Sequence, residues 1–163
     1  MAPRVRLRNG IEVVLSGGPR LSLDGAGRGS IRVLSHAHAD HLFAGDEPMV
    51  CSRLTAALGR ARRGETAVAR SAPPDWIELL PAGHIAGSRA ALITDPDSGR
   101  RYCYSGDISI RDRFYLEGFT PPDADVLIIE TTYGSPEYRF PPTDRVVSDL
   151  LAWLEATPDA VCV

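Results

Sequence analysis

Three of the chain's four histidines and one aspartate fall within six consecutive positions, at His36, His38, Asp40 and His41. An apolar run at residues 31–34 ends just before them, so the group is predicted to follow directly on a strand. Alternate side chains of an extended segment share a face, which predicts that His36 and His38 point to the same side. Asp40 and His41 are predicted to open a helix and to face the same point from the other edge.

The residue types in this group are those that bind transition metals. Imidazole nitrogen suits Zn²⁺ and related ions, and a carboxylate oxygen suits a second or bridging position. The alternative is a solvated loop in which the histidines occur by chance. The density of the pattern and its place at a strand end favour one half of a metal site.

Further candidate residues lie where other apolar runs stop. His84 follows a predicted strand and stands in the loop Gly-His-Ile-Ala-Gly-Ser at residues 83–88, where glycine lets the backbone approach a ligand closely. Asp24, Asp107 and Glu130 also end predicted strands. Asp24 taken alone is typical of a turn residue, but in a layered α/β fold all these strand ends converge on one edge.

The elements needed to position these residues are short strands followed by alternating strands and helices. A helix at residues 52–63 is predicted to begin at the cap Ser52 and to bury Leu54, Leu58 and Ala61. The strand at 125–130 is predicted to be fully buried because it is continuously apolar, and Thr143 is predicted to cap a helix at 144–156. The other predicted strands are 5–8, 11–15, 20–24, 31–34, 49–51, 67–70, 76–80, 90–94, 102–105 and one beginning at 160.

Composition sets limits on the class of protein. With 163 residues, 44% of them hydrophobic, the chain has material for one domain with a core, and a net charge of -3 gives no general attraction to nucleic acid. Cys51, Cys103 and Cys162 are flanked by apolar residues and are predicted to be buried thiols of a reducing compartment. Neither a signal peptide nor a membrane-spanning apolar run is evident, so a cytoplasmic location is expected.

Taken in order, four motifs resemble the metallo-β-lactamase fold superfamily: the Asp24 strand end, H-A-H-A-D-H at 36–41, G-H at 83–84 and S-G-D at 105–107. Within it, G-H-I-A-G-S at 83–88, Y-S-G-D-I-S at 104–109 and I-E-T-T-Y-G at 129–134 resemble the β-CASP nucleases. That group includes RNA-processing nucleases, the endonuclease of mRNA 3′-end processing, and DNA-repair exonucleases. The resemblance implies an α/β fold in which residues 1–134 are the amino-terminal portion of an αββα sandwich and residues 135–163 open a truncated β-CASP segment.

The resemblance also implies the roles of the site residues. His36, His38 and His84 would hold a first zinc ion, Asp40 and His41 a second, and Asp107 would bridge the two. Asp24 would orient a ligand, and Glu130 would support a general-acid histidine. The family supplies that histidine and a further zinc ligand downstream, but no histidine follows His84 here. Nearer one zinc than two is therefore expected in this chain, and its activity is expected to be weak or absent.

The implied function is that of a zinc-dependent phosphodiesterase acting by two-metal hydrolysis on single-stranded RNA, with DNA as the second choice and a homodimer as one expectation for the full-length protein. A small-molecule hydrolase such as a thioesterase or lactonase shares the H-x-H-x-D-H pattern, but the motif from Glu130 to Gly134 argues against it. The third class is a metal-binding fragment without turnover.

Overall fold

The computed structural model describes residues 4–7, 10–27, 31–43, 48–64, 68–113 and 115–157. The chain divides into two compact units, Met1–Glu130 and Thr131–Val163. The end of the strand predicted at 5–8, the start of the strand predicted at 67–70, the strand predicted from residue 160 and Cys162 lie outside the described residues.

Six strands of the first unit form one sheet, in the same order as in the chain. The first three are antiparallel neighbours, whereas the third to sixth strands run parallel to one another. The parallel strands therefore end on the same edge of the sheet. The strands are β1 (Arg4–Leu7), β2 (Ile11–Val14), β3 (Arg20–Leu23), β4 (Ile31–Val33), β5 (Met49–Val50) and β6 (Arg70–Ser71).

Four strands form the second sheet: β7 (Ile77–Pro81), β8 (Arg89–Thr94), β9 (Arg101–Tyr104) and β10 (Val126–Ile128). Their order is β10-β9-β8-β7, with β10 parallel to β9 and the other pairs antiparallel. Strands β8 and β9 pair across a turn that is closed by the Gly99 amide, which donates to the Asp95 carbonyl at 2.8 Å.

The main core lies between the two sheets, because one apolar cluster takes side chains from both. Side chains that alternate with these along the strands form separate clusters on the outer faces. The mixed α/β class predicted from the sequence is confirmed. The central cluster contains Val13, Leu15, Leu21, Leu23, Val33 and Val50 from the first sheet and its connections, and Ile77, Ala91, Ile93, Tyr102 and Tyr104 from the second.

Helix α1 (Arg53–Arg63) packs on the outer face of the first sheet. Ser52 is its cap, as predicted, since its hydroxyl accepts a hydrogen bond from the Thr55 amide at 2.9 Å. The predicted buried stripe is wrong: Leu54 is 46% exposed, and the buried positions are Thr55, Ala56 and Gly59. Small residues are needed there because a Cβ at Gly59 would lie 2.6 Å from the Val68 side chain.

Strand β10 corrects a second prediction. It is shorter than predicted and is not fully buried, since the Leu127 side chain is 48% exposed. Its continuous apolar sequence suits a parallel strand, and β10 is parallel to β9, but among the described residues it is the edge strand of its sheet. An edge strand has a ladder partner on one side only, so an apolar run does not by itself establish burial on both faces.

In the second unit, helix α2 (Thr143–Ala156) begins one residue earlier than predicted. Thr143 is its first residue and Pro142 occupies the cap position, so the prediction of a Thr143 cap is wrong. Proline suits this place because its missing N–H is not needed before the first turn. The helix carries an exposed apolar stripe; its residues are Val146, Val147, Leu150, Leu151 and Leu154.

Cys51 and Cys103 are buried free thiols, as predicted, and burial raises the pKa of Cys51 to about 11. Neither of the two described helices is long and apolar enough to cross a membrane.

Candidate metal centre

The candidate residues lie beyond the ends of five strands, two in the first sheet and three in the second. Asp24 follows β3 and the histidine cluster follows β4, while His84, Asp107 and Glu130 follow β7, β9 and β10. Parallel neighbours bring their carboxyl ends to one edge, so each sheet delivers its residues to the same side.

The segment from His38 to Leu42 is a single turn and not the start of a helix. The His38 carbonyl accepts from the His41 amide at 3.2 Å and from the Leu42 amide at 3.1 Å, and the helix begins later, at Arg53. The prediction that Asp40 and His41 open a helix is therefore wrong. The turn directs His41 towards Asp24, with His41 Nδ1 2.8 Å from Asp24 Oδ2, and leaves the Asp40 side chain 81% exposed.

Four predicted ligands converge to within metal-binding distances of one another. His38 Nδ1 lies 3.1 Å from both His36 Nε2 and His84 Nε2. Asp107 Oδ2 lies 3.7 Å from His36 Nε2 and 3.5 Å from His84 Nε2. Ligands bonded to zinc at about 2.0–2.1 Å in a tetrahedron are separated by about 3.4 Å, so this donor set fits one tetrahedral zinc ion.

Hydrogen bonds to Asp24 determine which ring nitrogens are available to a metal. The Asp24 carboxylate accepts from the Ser35 amide at 2.7 Å and from the Ser35 hydroxyl. Because Ser35 gives its only hydroxyl proton to Asp24, it accepts from His36 Nδ1, which lies 2.8 Å away. His41 Nδ1 donates directly to Asp24. Both imidazoles consequently carry their proton on Nδ1, and the lone pair of Nε2 is available to a metal.

Burial favours the neutral, metal-binding form of two candidate ligands, His36 and His84. His36 is fully buried, and this desolvation lowers its pKa to about 3; burial also lowers the pKa of His84. The hydrogen bond to Asp24 raises the pKa of His41 instead. Asp24 itself sits in the left-handed backbone region, with φ of +42°, which aspartate tolerates better than most residues and which often marks functional sites.

A second group of candidate ligands lies on the other side of Asp107. His41 Nε2 is 3.7 Å from Asp107 Oδ1 and 3.7 Å from Asp40 Oδ2. Donor atoms of Asp24, His36 and His41 also lie close together. Since the oxygens of Asp24 already accept several hydrogen bonds, its arrangement is that of an orienting group.

The loop that carries His84 is held in place by its backbone. Gly83 has φ of +67°, and a Cβ there would collide with the Ser109 carbonyl. The Arg113 guanidinium donates to the carbonyls of Gly83 at 2.7 Å and His84 at 2.8 Å. Arg113 therefore fixes the backbone of the loop that presents His84.

Glu130 lies beside the second group of ligands. Its Oε1 accepts from the Ile108 amide at 3.3 Å, and its own amide donates to the Ser105 hydroxyl at 3.3 Å. Together with His41 and Asp107, it lines a cavity of about 180 Å³.

Sequence reasoning missed Ser35, Tyr104 and the structural task of Arg113. Ser35 carried one usable signal, a hydroxyl directly between an apolar strand and the first histidine. The hydroxyl of Tyr104 donates to Asp24 Oδ2 at 2.8 Å, but 80 positions separate the two residues, so no local pattern predicts the contact.

No family model matches the chain. A probable DNA ligase of Opitutus terrae is 38% identical over 133 residues, which cover 76% of this chain and 13% of that protein. A probable RNase of Methanocaldococcus jannaschii is 40% identical over 62 residues, 36% of this chain and 14% of that protein. The DNA cross-link repair 1A protein of Mus musculus is 29% identical over 128 residues, 70% of this chain and 12% of that protein. The chain thus spans only 12% to 14% of the length of these curated relatives.

Proposed function

Because this chain belongs to the metallo-β-lactamase/β-CASP nuclease family, as those relatives do, we propose that it contributes the metal centre of a zinc-dependent phosphodiesterase acting on single-stranded nucleic acid. One observation carries the proposal. His36, His38, His84 and Asp107, delivered by loops of both sheets, bring their donor atoms to within 4.8 Å of one another. Nitrogen and oxygen donors at this spacing suit zinc.

The fold is proposed to be the amino-terminal portion of the family's αββα sandwich. The shared core of the two sheets and the packing of α1 on the outer face of the first sheet support this assignment. We assign residues 1–134 to that portion and residues 135–163 to the opening of a β-CASP segment. A cytoplasmic location and a homodimer of the full-length protein belong to the same proposal.

Each site residue has a proposed task. When bound, zinc supplies Lewis-acid activation of the phosphodiester and of the attacking water. His36, His38, His84 and Asp107 would hold the first ion, and Asp40 and His41, together with Asp107, would hold the second. Asp24 orients His41 directly and His36 through Ser35. The exposed Asp40 carboxylate can in addition accept a proton from the attacking water.

Glu130 is proposed to support the group that protonates the leaving oxygen. That group is not a histidine of this chain, because all four of its histidines are proposed metal ligands. Positioned acid–base help is worth roughly 10² to 10⁴-fold in rate. The 163-residue chain by itself is therefore expected to bind zinc and to cleave nucleic acid feebly or not at all.

The choice between RNA and DNA has evidence on both sides. The resemblance to the β-CASP nucleases makes RNA the first expectation and DNA the second. The two relatives named for DNA ligation and DNA cross-link repair align with 76% and 70% of this chain, whereas the RNase aligns with 36%. The proposed centre acts on the phosphodiester that both polymers share. We therefore propose single-stranded RNA as the first substrate and single-stranded DNA as the second.

The test compares the 163-residue chain with the longest protein that its gene encodes, on end-labelled single-stranded RNA and DNA with added zinc. Cleavage by the longer protein, abolished by His38→Ala and by chelation, is the expected result. Hydrolysis of a thioester with both nucleic acids left intact would establish the alternative class of small-molecule hydrolase. If the chain and the longer protein cleaved nucleic acid equally well, the proposal that the chain lacks the general acid would be wrong.

A further inference from the structure

Tyr104 makes a hydrogen bond that joins the two sheets at the candidate site. Its ring belongs to the core between the sheets, and its hydroxyl donates to Asp24 Oδ2 at 2.8 Å. Tyr104 ends β9 of the second sheet, whereas Asp24 directly follows β3 of the first. The contact is buried and direct, so it links the two sheets without an intervening residue.

On the first-sheet side, the bond acts on the carboxylate that orients two imidazoles. Asp24 accepts from His41 Nδ1, and Ser35 connects it to His36 Nδ1. Oδ2 takes three donors, from Ser35, His41 and Tyr104, and these hold the carboxylate plane in one orientation. Removing the Tyr104 donor loosens this constraint on the carboxylate, and His41 would follow because its ring donates to Asp24.

On the second-sheet side, Tyr104 stands three positions before Asp107. The connection runs through Gly106, which has φ of +56° and approaches Ser35 so closely that a Cβ would lie 2.6 Å from the Ser35 Cβ. A shift of the end of β9 therefore moves Asp107 relative to the first sheet. Asp107 Oδ1 and His41 Nε2, which are 3.7 Å apart, are the donors from the two sheets that must stay in register to share an ion.

We propose that Tyr104 is a positioning residue that keeps the two sheets in register across the metal centre. Through Asp24 it sets the orientation of His41, and through β9 it sets the position of Asp107. The inference rests on the proposed function only in treating these two groups as ligands. The ring orientation of His41 can be measured whether or not the protein cleaves nucleic acid.

The simpler interpretation is that Tyr104 merely satisfies a buried hydroxyl. Its neighbour on the same strand, Tyr102, allows the two interpretations to be separated. Tyr102 is also buried in the core between the sheets, yet its hydroxyl has no hydrogen-bond partner among the described residues. Tyr102 thus provides a second buried phenol on the same strand, whose hydroxyl is not bonded to Asp24.

The test compares Tyr104→Phe with Tyr102→Phe, which removes the same atom from the same strand and keeps the ring. Long-range ¹H–¹⁵N spectra of the metal-free protein report the tautomer and environment of its four histidine rings. Tyr104→Phe is expected to shift the His41 ring nitrogens and to speed exchange of its Nδ1 proton. Tyr102→Phe is expected to leave the signals of the His41 ring nitrogens where they are in the wild type. Thermal melts check that both variants fold.

A second readout is zinc affinity, measured by competition with a chromophoric chelator. Loss of an outer hydrogen-bond partner typically weakens metal binding 10- to 100-fold, and we expect a loss in that range for Tyr104→Phe and none for Tyr102→Phe. If Tyr104→Phe has the His41 spectrum of the wild type, or if both variants alter it equally, the positioning role is wrong. If the wild type binds no zinc, the proposed function fails, and the spectra still decide the role of Tyr104.

Discussion

The two halves of the candidate centre differ in how firmly the fold holds them. In the first half, four distances between donor atoms are 3.1–3.7 Å; they join atoms of His36, His38, His84 and Asp107. His36 is also fully buried. In the second half, His41 is well held but the Asp40 side chain is 81% exposed. The first half is therefore arranged for a metal in advance, whereas the second depends on one exposed side chain.

Hydrogen bonds outside the ligands explain the difference. His36 is held through Ser35 and Asp24, and the His84 loop is held by Arg113. For Asp40, a hydrogen bond from its own backbone amide has the largest effect on the carboxyl and lowers its pKa. A long-range partner restricts a side chain to one rotamer, whereas a local contact on an exposed side chain leaves it free to move.

Replacing His38 by alanine should have the largest effect, because its Nδ1 lies between the donor atoms of His36 and His84. We expect His38→Ala to weaken binding of the first zinc by more than the 10- to 100-fold typical of outer-shell changes. Metal analysis of protein purified without added zinc provides the measurement. Asp40→Asn serves as the control, since it leaves the first half intact. Retention of one zinc per chain by His38→Ala would contradict the proposed ligand set.

Gly83→Ala should disturb the first half by displacing the backbone of the loop that carries His84. The substitution meets a positive φ, which costs roughly 1–2 kcal/mol for a residue with a Cβ, and also a collision with the Ser109 carbonyl. Gly99→Ala is a matched control, because Gly99 has φ of +71° and nothing within 4 Å of its Cβ position. Chemical denaturation and zinc titration of both variants separate the two causes. If the two variants lost stability and zinc affinity equally, the collision at Gly83 would be relieved without moving His84.

The positions of the candidate ligands were largely predictable because each one ends an apolar run. A strand followed by a polar residue is a local pattern, and the parallel ends of strands meet at one edge whatever the loops do. The stripe of α1 was not predictable in the same way, because burial depends on what the helix packs against. Gly59 faces Val68 closely, so small residues were buried in place of Leu54.

The hydrogen bonds that orient the ligands could not be predicted from the sequence. Tyr104 and Asp24 are 80 positions apart, and Arg113 reaches Gly83 and His84 from about 30 positions away. These contacts depend on the register between the two sheets and on the course of a loop, which hydrophobic periodicity does not specify. A prediction from sequence therefore identifies the candidate ligands and misses the bonds that distinguish the two halves.

Arg113→Ala should weaken the first half by a smaller amount than Gly83→Ala, since it removes hydrogen bonds without adding a collision. We expect a loss of first-zinc affinity near 10-fold, the lower end for outer-shell partners, with little change in second-zinc binding. Arg62→Ala, at the exposed end of α1, is the control for loss of positive charge. An equal effect of both arginine variants would indicate long-range electrostatics in place of a held loop.

Asp40→Asn should have the smallest effect on retained zinc, because it changes only the second half. Asparagine keeps the size of the side chain and removes its charge, and the Asp40 carboxylate is exposed, so folding should be unaffected. Zinc titration of the wild type is expected to show one tight ion and one weak ion, and the weak one should be further weakened or lost in the variant. The first affinity should not change, since its four donor atoms come from other residues. If Asp40→Asn instead released the first zinc, Asp40 would act on both halves and the division between a prearranged half and an exposed half would be wrong.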